Sequence, residues 1–68
     1  MKKLVKVEHE VFKNVYEGIN GNRKVRCILD TNCVRYIVFE NGKKKSAREF
    51  NDAQAGTSFK NAEAALNR

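Results

Sequence analysis

Five basic residues, Lys24, Arg26, Arg35, Lys44 and Arg48, recur at alternating positions in the segments "RKVRCILD", "CVRYIVFE" and "KKKSAREF". Alternation at a period of two puts side chains on one side of a β-sheet. Lys13 falls on the same side, and Val15, Ile28, Ile37 and Phe39 are interleaved with these charges. Guanidinium and ammonium groups bind phosphate, and an aromatic ring among them offers a stacking platform for a base. Lysine and arginine are also common on any solvated sheet face. Four apolar residues among them are not, and an apolar set on a wet face marks a contact. Two functions follow. One is nucleic-acid binding, DNA before RNA, through Lys24, Arg26, Arg35, Lys44 and Arg48. The alternative is a small protein-interaction module, a homodimer or an inhibitor, that uses Val15, Ile28, Ile37 and Phe39. Burial under the N-terminal segment would instead make the apolar four part of the fold.

The chain has fourteen Lys and Arg against eight Asp and Glu, a net charge of +6. That balance suits a polyanionic partner, and it also serves solubility. No residue pattern supports catalysis. His9 is the only histidine and stands between Glu8 and Glu10, and no Ser/His/Asp or Cys/His set can be assembled around it. The glycines of "GINGNRK" lack phosphate-loop spacing. Cys27 and Cys33 have no zinc spacing and fall on opposite sheet faces, which disfavours a bridge between them. The expectation is a non-enzyme with no cofactor and no metal. The N-terminus "MKKLVKVEHEVF" is broken by charges, so neither a signal peptide nor a membrane span is expected, and a reducing cytoplasm is the expected compartment.

The elements that would position these residues are short. Sixty-eight residues allow one small domain with a small core. Residues 23–30 and 33–40 are rich in β-branched and aromatic side chains. A two-residue turn at Thr31-Asn32 pairs Leu29 with Val34, Cys27 with Tyr36 and Val25 with Val38, all on one face. Upstream, a turn at Asn20-Gly21 pairs Tyr16 with Val25, Phe12 with Leu29 and Glu17 with Lys24. Residues 4–19 support two readings. Their β-branched composition and hairpin register predict a strand, while Val7, Val11, Val15 and Ile19 also sit at helical spacing, with Gly18 as a helix end. Downstream, Asn41-Gly42 marks a tight turn into an edge strand over 43–50, guarded by lysines. A tight turn puts Ala47 on the apolar face; one extra residue puts Phe50 there. A helix is predicted over 58–67, capped by Thr57 or Ser58, with Phe59, Ala62 and Leu66 as its apolar stripe and a first turn capped by Asn51 or Asp52 before it. The predicted fold is α+β, an antiparallel meander of three or four strands with a C-terminal helix packed on one face.

The "NGKKK" turn before the last strand and "SFKNAEAAL" at the helix start resemble the small DNA-binding domain at the N-terminus of tyrosine-recombinase integrases, over residues 23–68. The resemblance implies a three-stranded sheet docked in the major groove with the helix behind it. Lys24, Arg26, Arg35, Lys44 and Arg48 would then face DNA. This chain departs from that pattern in residues 1–22 and in the longer "NDAQAG" insert, and a free-standing domain with no recombinase domain behind it is the expectation. An accessory protein of a phage or mobile element is the setting this implies.

Overall fold

Three two-residue turns order the sheet. Asn41 and Gly42 both take positive φ, 53° and 80°, as a type I′ hairpin turn requires. Asn32 takes the positive φ of the second turn and Gly21 that of the first, at 61° and 64°. The computed structural model describes all 68 residues. The strands are β1 (Val5–Val7), β2 (Val15–Asn20), β3 (Arg23–Asp30), β4 (Cys33–Glu40) and β5 (Lys43–Phe50). They form one antiparallel sheet in chain order, an open meander with β1 and β5 at its edges. A short 3₁₀ turn, Asp52–Gln54, leads into α1 (Ala55–Leu66). The fold is α+β as expected, with five strands in place of three or four. Both readings of residues 4–19 as a single element are corrected: two strands form, and 8–14 belongs to neither.

The helix lies across one sheet face. Val25, Cys27, Tyr36 and Val38 from the sheet meet Ala62, Ala65 and Leu66 from α1 and Leu4 from the N-terminus. A fully buried Val or Leu contributes about 1.5–3 kcal/mol, and this cluster holds eight of the buried residues of the core. Two edge-on and stacked ring pairs extend it. Tyr16 meets Phe59 at 5.3 Å between centroids, and Tyr36 meets Phe50 at 6.1 Å.

Polar side chains fix the helix ends. Asn20 Nδ2 donates to Leu66 O at 2.9 Å, and Arg23 Nη1 donates to Ala65 O at 2.8 Å. Both satisfy carbonyls that a helix C-terminus leaves without intrahelical donors. Asn67 and Glu63 hold the N-terminal segment in turn, by accepting from Lys2 N and Leu4 N. The helix begins earlier than expected. Gln54 N donates to Asn51 O and Asn51 N to the Gln54 side chain, so the first turn forms at Asn51. Thr57 and Ser58 are therefore not caps, and Ser58 is buried inside the helix face.

The β2–β3 register differs from expectation, and β5 takes the second of its two expected settings, with the extra residue inside the strand and not in the turn. In β2–β3, Tyr16 pairs with Cys27, Glu17 with Arg26 and Gly18 with Val25, a shift of two residues, because Gly21-Asn22 and not Asn20-Gly21 makes the turn. A shift of two keeps every side chain on its predicted face. Phe12 lies outside the strand and packs with His9, ring centroids 5.4 Å apart, instead of opposing Leu29. In β4–β5 a bulge falls between Val38 and Phe39: Lys44 pairs with Phe39, but Ser46 pairs with Val38, leaving Lys45 as the extra residue. A bulge changes which residues face each side. Phe50 joins the helix face opposite Val34, and Ala47 faces away from it.

Candidate nucleic-acid interface

The face away from the helix is built in rows. Ile19, Lys24, Phe39 and Lys44 form one row across β2–β5; Glu17, Arg26, Ile37 and Ala47 form the next; Val15, Ile28, Arg35 and Glu49 form the third. Four of the five predicted basic residues, Lys24, Arg26, Arg35 and Lys44, therefore share this face. Arg48 does not. The bulge turns it to the helix side opposite Tyr36, where its guanidinium lies 5.0 Å from the Phe50 ring centroid. Lys13 lies in the 8–14 segment, outside the strands.

The apolar set divides. Val15, Ile28 and Ile37 are buried at 0%, 2% and 8% exposure, so within this chain they present no surface for a partner. The 8–14 segment beside them is tied to the end of β3, because Asp30 accepts from Lys13 N at 2.9 Å and from Asn14 N at 3.0 Å. Phe39 alone of the four stays half-buried. The sequence reading missed Ile19, which is 64% exposed in the same row as Phe39. Its parity with Val15 already placed it on this face.

Charge on the face is unevenly free. Glu17 Oε2 accepts from Arg26 Nε at 2.6 Å, and Lys24 Nζ stands 3.5 Å from Glu17 Oε1. Burial pushes the Glu17 carboxyl up, but the Arg26 hydrogen bond and the charges of Lys24 and Arg26 outweigh it and hold it below the usual value. The Arg26 guanidinium also sits over Phe39, 5.7 Å from the ring centroid, within cation–π range. No carboxylate pairs with Lys44 or Arg35. Arg35 Nε is buried with no acceptor. On the helix side, Glu40 is shared by Arg23 at 2.6 Å and Lys45 at 2.9 Å, so neither cation is free.

Ile19, Lys24, Arg26 and Phe39, with Gly21 and Gly42 from the turns, line a groove of about 400 Å³. It combines an apolar floor with a cationic rim. A wider hollow of about 690 Å³ runs along residues 6–13, but there Glu8 and Glu10 offset Lys6 and Lys13. Cys27 is buried, Cys33 is half-buried, and both thiols are free; burial pushes the Cys27 thiol above its ordinary value. No helix is long and apolar enough to cross a membrane. No family model, curated relative or solved structure matches the chain.

Proposed function

We propose that this protein binds nucleic acid, DNA in the first instance, through the sheet face opposite the helix. One observation carries the reading: a half-buried aromatic, Phe39, is flanked on its own face by Lys24, Arg26 and Lys44 in a chain of net charge +6. Lysine and arginine supply phosphate contacts, and the ring supplies a surface for a base. Arg35 adds charge at the far row. Arg48 leaves the set, because it belongs to the opposite face. Two free thiols fit a reducing compartment, and the cytoplasm is the one this reading assigns. An accessory role in a phage or mobile element is the setting that the integrase-like segments imply.

Fluorescence anisotropy with labelled random-sequence DNA, duplex and single-stranded, tests the proposal. Affinity should fall with salt, log K changing by about −0.9 per phosphate contacted on duplex and about −0.7 on single strands. No binding at low salt to either form, with protein at roughly 50 μM, would rule it out, since non-specific binding usually lies at or below about 100 μM.

A second reading, contact with a protein, draws support from Ile19 and Val5, which are 64% and 60% exposed on this same side of β2 and β1. Sedimentation over a concentration series separates the two readings. A monomer at every concentration that shifts on DNA favours the first, and self-association without DNA binding favours the second.

A further inference from the structure

The groove has a shape and a charge order that select among nucleic acids. We infer that it takes one unpaired nucleotide of a single strand, with the base against Phe39 and Ile19 and the phosphate at Lys44. This inference rests on the nucleic-acid reading above and goes beyond it in naming the form of the ligand.

Three observations carry it. The first is concavity. At about 400 Å³ the groove falls in the size range of small-molecule pockets and is large enough to take a single base. Gly21 and Gly42 lie in neighbouring turns joined by Asn41 N donating to Asn22 O at 3.0 Å. They line the groove with no side chain, and a Cβ at either would meet nothing within 4 Å, so the groove is open at that end of the sheet.

The second is the restraint on Arg26. Reading a duplex in the major groove needs an arginine free to reach base edges in a bidentate fork. Arg26 is held instead by Glu17 at 2.6 Å, with its guanidinium 5.7 Å from the Phe39 centroid. Ring and guanidinium together make a wall for stacking, which is the usual platform for unpaired bases.

The third is the placement of charge. Glu17 puts a carboxylate beside the groove, 3.5 Å from Lys24 Nζ. Arg26 at 2.6 Å and Lys24 at 3.5 Å already engage that carboxylate, so neither cation is left free for a phosphate. The phosphate goes to Lys44, which stands beside Phe39 with no carboxylate partner.

Anisotropy with labelled twelve-nucleotide probes decides it: a single strand of mixed sequence, the same strand carrying abasic residues at alternate positions, and a duplex of the same length. The single strand should bind at least about tenfold more tightly than the duplex, and the abasic strand should lose about fivefold or more. Phe39→Leu keeps apolar packing and removes the ring face, so it should lower single-strand affinity by a similar factor, and Phe39→Trp should restore it. Equal binding of single strand and duplex, or an abasic strand that binds as well as the intact one, would overturn the inference while leaving nucleic-acid binding in place. Failure of every probe to bind would remove both.

Discussion

A Cβ built on Gly18 would lie 2.5 Å from Leu66 Cδ2 and 3.0 Å from Lys3 O. Gly18 thus lets α1 and the N-terminal segment close over β2 at the point where Leu66 is fully buried. A side chain there must displace backbone as well as Leu66, and overpacking of this kind costs about 1–3 kcal/mol. Gly18→Ala is therefore expected to lower the urea midpoint without changing the slope of the transition. A Gly18→Ala variant as stable as the parent would show that the helix end shifts freely.

Ser58 presents the opposite case. It is fully buried in α1, and its hydroxyl has no oxygen or nitrogen partner; the Cys27 thiol is its polar neighbour. Burying a hydroxyl without a good acceptor costs about 1–3 kcal/mol, and alanine is the better helix former. Ser58→Ala should raise stability by about 1 kcal/mol in urea denaturation. A loss of stability would mean that the Ser58–Cys27 contact is worth more than the hydroxyl's desolvation costs.

Much of this fold is legible in the residues alone. The β3–β4 hairpin came out in its exact register, Leu29 with Val34, Cys27 with Tyr36 and Val25 with Val38, because turn chemistry and apolar pairing agree there. In β2–β3 the two asparagines around Gly21 permit turns one residue apart, and the pairing moved by two while the faces held. For β5 the sequence leaves two settings open, Ala47 or Phe50 on the apolar face, and the bulge at Lys45 selects the second. "KKKSA" has no apolar alternation to fix a register, so Arg48 was assigned to the wrong face. The burial of Val15, Ile28 and Ile37 is a tertiary outcome that period-two patterning cannot distinguish from exposure. Glu17 was legible as the partner of a base, but not as the group that holds both Lys24 and Arg26.

Acid should loosen the sheet from its polar ties. The Asp30 carboxyl lies below its ordinary value, chiefly because Lys13 N donates to it, with Asn14 N and the Asn14 side chain adding to this. Glu40 is held low by Lys45 first and then Arg23. A carboxylate with a folded pKa below its unfolded one stabilises the fold above the unfolded value, about 3.9 for Asp and 4.3 for Glu, and that contribution is lost as pH falls. Urea midpoints should therefore hold above about pH 5 and decline below it. Asp30→Asn keeps an acceptor but not the charge, so its midpoint should start lower at neutral pH and decline less steeply. The amide signals of Lys13 and Asn14 should move with the same titration. An unchanged pH profile in Asp30→Asn would show that these ties carry no stability.

The split of charges between the two faces gives a test of where nucleic acid sits. Lys24 and Lys44 flank Phe39 on the open face, whereas Arg48 covers Phe50 on the helix side and Lys60 is exposed on α1. All four variants to alanine lower the net charge equally, so a field set only by net charge would weaken binding equally in each. Binding through the open face predicts otherwise. Lys44→Ala should reduce affinity several-fold and make the salt slope shallower by close to one phosphate contact. Lys24→Ala should do less, because Glu17 already offsets part of its charge. Arg48→Ala and Lys60→Ala should leave the slope unchanged. Equal slopes across the four variants would assign the affinity to net charge. A loss concentrated in Arg48→Ala would move the contact to the edge strand, where the bulge placed that guanidinium.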